Sequence, residues 1–264
     1  MRRKRLLISA LIGAGILLTG DSIAFPNEGA KLTVVYNNVS FDERLTTGWG
    51  FSCFVHHRDK GILFDTGGDG TTLLSNMEKL GIHPKQIERI VLSHIHGDHT
   101  GGLEGILRHN QNVTVYVPVS FPQTFKNEIR KAGSEIISVS QPMEIYSGVY
   151  TTGELGAGIK EQGLILKTNE GLVIITGCAH PGIVKMVKHV KDWLKEDIYL
   201  AMGGFHLMGY SAHEVAGVLE KLRKLGIKKV APSHCTGDTA MKLFGKVWEK
   251  DFIDGGCGAV ITLP

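Results

Sequence analysis

The sequence predicts an α/β protein in which helices layer on β-sheet. Two observations predict it. Short apolar runs rich in β-branched residues recur along the chain, at 32–36, 51–56 and 172–175 among others. Between them lie stretches with helical apolar spacing, such as 122–131, where Phe125 and Ile129 share one face. Alternation of the two kinds fits layers of helix packed on sheet. A composition 42% hydrophobic with 34 glycines is globular and turn-rich rather than disordered. The 264 residues suffice for one large domain or two small ones.

Residues 1–24 stand apart from this fold. Arg2, Arg3, Lys4 and Arg5 form a positive start, 6–18 is apolar, and Ser22-Ile23-Ala24 offers small residues for cleavage. This reads as a secretory signal peptide cut after Ala24, which makes the protein exported, periplasmic or secreted. An uncleaved anchor is the rival reading, but the run is shorter than the ~20 residues a full span needs. The segment carries four basic residues and Asp21. Without it the basic and acidic residues balance, so the formal charge of +3 belongs to targeting. No lysine or arginine block remains to track phosphates, which argues against a nucleic-acid partner. No later stretch is long and apolar enough to span a membrane, so no stable insertion is expected after cleavage.

The fold proper opens with a strand at 32–36, and Asn37-Asn38 marks a turn. A strand over 51–56 turns at Asp59-Lys60-Gly61 into a strand over 62–65. A helix over 71–80 stops at Gly81. A strand at 90–93 precedes a helix near 103–107 and a strand over 113–117. Residues 135–175 read as strands broken by glycines. Helices follow near 182–195, 212–224 and 239–248, with strands at 197–202, 228–232 and 259–263.

The strand at 90–93 leads into His94-Ile95-His96-Gly97-Asp98-His99. In extended chain alternate side chains face the same way, so His94 and His96 can point at one metal. Asp98 and His99 lie beyond a turn that Gly97 permits and can reach a second. Imidazole and carboxylate suit zinc, iron or manganese. Cys53, Cys178, Cys235 and Cys257 form no C-x-x-C pair, and in an exported protein three pairings are open. Cys53 and Cys257 read as buried residues. Histidines 56, 57, 83, 109, 189 and 213 have no motif around them and read as surface or helix residues.

His94-x-His96-x-Asp98-His99, followed by Thr100-Gly101-Gly102-Leu103, resembles the signature of the metallo-β-lactamase fold superfamily. Phe64-Asp65-Thr66-Gly67-Gly68 before it, and Thr176-Gly177-Cys178-Ala179-His180, Gly203-Gly204-Phe205-His206-Leu207 and Ser233-His234-Cys235-Thr236-Gly237 after it, match in order. Together they resemble the dihydropterin synthase-like subgroup, over about 31–264. The resemblance implies one metallo-β-lactamase-like domain over 25–264, an αββα sandwich of two facing mixed sheets with helices outside. It implies two divalent metal ions at one edge, zinc first, with iron or manganese as alternatives. His94, His96 and His180 would hold one ion, and Asp98, His99 and His234 the other. Asp65 would orient a ligand histidine through its second ring nitrogen.

Two departures stand out. A superfamily member usually bridges its metals with an aspartate after the middle strand, where this chain has Cys178. The usual upstream His-x-x-Gly-His is replaced by Glu161-Gln162-Gly163. Cys178 is then a thiolate ligand, a buried thiol or half of a disulfide. His206 is a ligand, a substrate-facing acid-base group or a packed histidine.

The chemistry implied is hydrolysis. A divalent ion lowers the pKa of its water from ~15.7 toward ~7, and hydroxide attacks an ester, lactone or phosphodiester of a small molecule. Asp98 would orient the nucleophile and His206 would protonate the leaving group or stabilise developing charge. No glycine-x-serine-x-glycine elbow competes. A dihydropterin synthase-like transferase and a non-catalytic metal- or ligand-binding module are the alternatives. Export argues against the first and the four intact loop ligands against the second.

Overall fold

In the computed structural model, residues 29–264 are described; the expected targeting segment lies outside them. The first sheet takes β1 (Lys31–Asn37), β2 (Phe51–His57), β3 (Lys60–Phe64), β4 (Arg89–Val91), β5 (Thr114–Pro118) and β6 (Glu135–Val139) in sequence order. The second takes β7 (Met143–Tyr146), β8 (Val149–Thr151), β9 (Leu164–Thr168), β10 (Gly171–Thr176), β11 (Ile198–Gly204) and β12 (Lys229–Ser233). β13 (Val260–Thr262) returns to the first sheet beside β1. Both sheets are mixed. Pairing is antiparallel from β13 to β3 and from β7 to β10, and parallel from β3 to β6 and from β10 to β12.

Side-chain alternation makes this a four-layer sandwich. In β10, Val173 and Ile175 face the first sheet, while Leu172 and Ile174 face helices. In β3, Ile62 and Phe64 point between the sheets and Leu63 points outward. Neither face of a strand such as β10 meets water, which is why it reads as a continuous apolar run. The helices α1 (Gly70–Lys79), α3 (Leu103–His109) and α4 (Gln123–Lys131) cover the first sheet. The second is covered by α5 (Ile183–Leu194), α6 (Ala212–Lys224) and α7 (Asp238–Trp248). Among the described residues no helix is long and apolar enough to cross a membrane.

Local chemistry sets the boundaries. Asp69 caps α1 by accepting from Thr72 N at 2.8 Å, and the chain stops at Gly81, whose φ is +70°. Ser211 and Glu214 cap α6 reciprocally. Three expectations need correction. The hairpin turn sits at Arg58 and Asp59, one residue early, because Arg58 takes the left-handed φ of +57° and His57 pairs with Lys60. Gly97 does not make a glycine-dependent turn: it opens the short α2 (Gly97–Thr100), and a Cβ there would meet nothing within 4 Å. His57 is neither on the surface nor in a helix. It ends β2, buried, with its ring 5.8 Å from that of Tyr146.

Ile175 fills the gap between the sheets, whereas Val260 is 49% exposed on an edge strand. Ile175→Ala should lower the unfolding free energy by about 2–5 kcal/mol. Val260→Ala should change it by less than about 0.5 kcal/mol. Urea titration monitored by tryptophan fluorescence compares the two.

Candidate metal centre

The chemistry-bearing loops leave the carboxyl ends of the parallel strands. Asp65 follows β3, His94 to His99 follow β4, Cys178 and His180 follow β10, His206 follows β11 and His234 follows β12. The two sheets face each other, so these loops meet at one end of the sandwich. Ligands collect at this end of parallel sheets as a rule.

Asp65 anchors the first group. It has no exposed surface and a left-handed φ of +55°. Its Oδ1 accepts from Ser93 N at 2.6 Å, and its Oδ2 accepts from Ser93 Oγ and from His99 Nδ1, both at 2.7 Å. With Nδ1 committed outward, His99 turns Nε2 inward. Ser93 Oγ also lies 2.9 Å from His94 Nδ1, which turns His94 Nε2 the same way. Bonds to the far nitrogen fix tautomer and ring orientation together.

Two sets of donors result. His94 Nε2 lies 3.2 Å from His96 Nδ1 and 3.3 Å from His180 Nε2. Burial, then the neighbouring imidazoles, push the His94 pKa far down; the same causes bring His180 to about 4. Both therefore keep free lone pairs at neutral pH. In the second set, Asp98 Oδ2 lies 3.5 Å from His99 Nε2 and 3.3 Å from His234 Nε2. Burial opposes its charge, yet the facing His234 and His99 rings hold the Asp98 carboxyl far below the usual range. Against its own burial, His99 is raised to about 10, chiefly by Asp65. His234 Nδ1 bonds Asn38 Oδ1 at 2.7 Å, and Trp49 lies across its ring at 4.8 Å. Its Nε2 is buried without a hydrogen-bond partner. A buried polar atom left this way costs free energy unless something else pairs it.

Cys178 stands between the sets. Its Sγ is 3.3 Å from His99 Nε2, and the thiol lies within 4.8 Å of the inward nitrogens of both His94 and His99. No disulfide forms: all four cysteines are free and buried. His206 belongs to neither histidine set. It sits exposed at the rim with φ +52°, its ring 4.4 Å from that of His180, grouped with Cys178 and Cys235. Their mutual contact pushes the Cys178 thiol up and the Cys235 thiol down.

Sequence reasoning missed the residue that holds the middle loop. Glu161 is fully buried in the segment before β9. Its Oε1 accepts from the backbone N–H of Gly177, Cys178 and Ala179 at 2.9–3.1 Å, and its Oε2 accepts from that of His180 at 2.8 Å. Burial lifts its carboxyl to about 7, against the pull of these N–H groups. The available signal was a lone acidic residue beside an apolar strand. Ser93 and Asn38 were missed likewise, one read as strand and one as turn. The glycine before Cys178 is forced by space: a Cβ on Gly177 would stand 2.1 Å from Ser93 Oγ and 2.8 Å from Asp65 Oδ2.

The profile of the Metallo-beta-lactamase superfamily matches residues 47–234. The chain belongs to that superfamily. This superfamily member is 33% identical over 247 residues to 7,8-dihydropterin-6-methyl-4-(beta-D-ribofuranosyl)-aminobenzene-5'-phosphate synthase of Methanocaldococcus jannaschii. The match covers 76% of this chain and 84% of that protein. Among solved structures it resembles Tm1679, a metal-dependent hydrolase of the beta-lactamase superfamily. The TM-score is 0.74 at 25% identity, over 88% of this chain and 98% of the other. The short form of human tRNase Z shares the fold, with TM-score 0.60 at 15% identity over 89% and 99%. In this superfamily member His180 joins His94 and His96 in the first donor set.

Glu161→Ala leaves four buried N–H groups unpaired. It should lower the unfolding free energy in chelator by more than about 3 kcal/mol, since each such group costs about 1–3; urea titration measures it. Gly177→Ala should impair metal retention through the crowding of Ser93 and Asp65, read by elemental analysis after dialysis.

Proposed function

We propose that this chain is an exported metal-dependent hydrolase that cleaves an ester, lactone or phosphodiester in a small molecule. The observation that carries the reading is the convergence of the two donor sets on facing loops, with one rim histidine beside them. The donors fit divalent metal. The neutral imidazoles of His94 and His180, the ionised Asp98 carboxylate and the unpaired His234 Nε2 are the ligand chemistry that zinc, iron or manganese takes. His94, His96 and His180 would hold one ion; Asp98, His99 and His234 the second. Bound there, divalent ions supply Lewis-acid polarisation and a water acidic enough to serve as nucleophile near neutral pH.

The chain's own residues do the rest. Asp65 and Ser93 keep the ring nitrogens of His99 and His94 aimed inward. Asp98, half-buried and ionised, orients the attacking group through its carboxylate. His206 reaches solvent beside His180 and is positioned to give a proton to a leaving group. A cleft of about 570 Å³ adjoins His234, with Asn38, Met208, Tyr210 and Asp238 on its walls. That is room for a small molecule.

A second reading is favoured by one observation, the 33% identity to the Methanocaldococcus jannaschii synthase. On it, the same centre serves a transferase. The signal-peptide-like segment at 1–24 favours an exported hydrolase instead. The lack of a carboxylate at position 178 is the one feature that suits a binding module, and the four intact loop ligands His94, His96, Asp98 and His99 speak against it.

Protein purified without chelator should carry about two zinc, iron or manganese ions per chain by elemental analysis. It should also hydrolyse chromogenic phosphodiesters or esters. His96→Ala should reduce that rate by more than the roughly 10–100-fold that follows loss of an outer partner. Rates unchanged in His96→Ala would overturn the hydrolase reading. Expressed with its leader, the exported protein should begin at Phe25 by N-terminal sequencing.

A further inference from the structure

Cys178 and Cys235 lie beyond the ends of strands that do not touch. Cys178 follows β10 and Cys235 follows β12, with β11 between them. A side chain at the end of β11 would keep them apart. That position is Gly204. A Cβ there would stand 2.7 Å from Cys235 Sγ and 3.1 Å from the Cys178 Cα. The missing side chain opens a gap through which the two thiols approach. Their sulfurs lie within 4.8 Å of each other and of a ring nitrogen of His206, and Cys235 Sγ reaches 3.7 Å from the Cys178 carbonyl oxygen. Both thiols are free and only 4% exposed. His206 is the member of this group that faces solvent. Cys53 and Cys257 are also free, but they lie elsewhere, Cys53 between the sheets and Cys257 against Asn76.

We propose that Cys178 and Cys235 form a peroxide-oxidisable dithiol whose closure takes the Cys178 sulfur away from the metal centre. The sulfur of Cys235, beside the solvent-facing imidazole, attacks a peroxide oxygen. An S–O bond forms, the O–O bond breaks, and the thiol proton leaves with the departing oxygen as water. The Cys178 sulfur then displaces the hydroxyl of this sulfenic acid. The S–S bond forms, the S–O bond breaks, and the Cys178 proton leaves in a second water. Two thiols lose two electrons in all, and one hydrogen peroxide becomes two waters. The Cys178 sulfur, 3.3 Å from His99 Nε2, is then no longer a thiol or thiolate. The second half of the proposal, loss of metal on closure, rests on the metal-centre reading above with the Cys178 sulfur, grouped with His94 and His99, as a further ligand; the first half does not.

The test treats the reduced, metal-loaded full chain with a small molar excess of hydrogen peroxide. Free thiols are then alkylated in denaturant, and the unreduced digest is mapped by mass spectrometry while bound metal is measured in parallel. The expected result is a Cys178–Cys235 linked peptide, alkylated Cys53 and Cys257, and loss of at least half the metal, recovered after dithiothreitol and metal addition. Cys235→Ser should keep its metal under the same treatment. Recovery of Cys178 and Cys235 as unlinked thiols or as sulfinic acids overturns the dithiol. A linked peptide with metal unchanged overturns its coupling to the centre. A chain that holds no metal before peroxide overturns the metal-centre reading instead, and the linked peptide still decides the dithiol.

Discussion

A carboxylate with no access to water must find its partners inside the protein, and Asp65 finds three. Two come from Ser93 and one from His99, so one buried side chain joins the end of β3 to the loop after β4 and to α2. The rest of the centre depends on that junction. Breaking such a group's bonds leaves a buried charge, which is far costlier than the net gain of forming them. Glu161 does the same for the facing sheet, with four backbone N–H groups and no cation. Each sheet thus brings its own buried carboxyl group to fix its own ligand loop, and the donors meet across the gap.

The site also concentrates backbone strain. Asp65, Ala179, His206 and His234 all hold left-handed φ near +50° to +56°, a region that side chains other than glycine's disfavour. All four lie within three residues of the end of a parallel strand, where the chain must reverse sharply. Such conformations cost of order 1–3 kcal/mol each and persist where the surroundings fix them. The hydrogen bonds of Asp65 and His234 and the Glu161 bond to Ala179 N are those surroundings.

Much of the fold was legible because its signals are local. Helix α6 was read near 212–224 from its apolar period, and the structure gives Ala212–Lys224 with Ser211 and Glu214 capping its start. The buried strands announced themselves as β-branched runs. The hairpin turn slipped by one because Arg58, not a glycine, takes the left-handed position. Helix α2 was missed because four residues of glycine, aspartate, histidine and threonine carry no apolar period. The donor residues were legible by kind, as histidines and an aspartate at close spacing. Their supports were not. Glu161, Ser93 and Asn38 matter through burial and through partners 18, 28 and 196 positions away, and distance along a chain hides both.

The first sheet carries one more constraint, set by the order in which its strands are made. β1 is flanked by β2 on one side and by β13 on the other, and the register runs from Lys31 opposite Thr262. Until residues 260–262 emerge during synthesis, β1 is a sheet edge with unpaired N–H and C=O groups beside Leu32 and Val34, both destined for the core. An unpaired, apolar edge is a template for other chains. A nascent chain lacking only its last strand would therefore be the stage most exposed to aggregation, and the contact that protects it spans nearly the whole described sequence. Non-local pairings of this kind form slowly, which makes the completion of this edge a natural point for chaperone dependence.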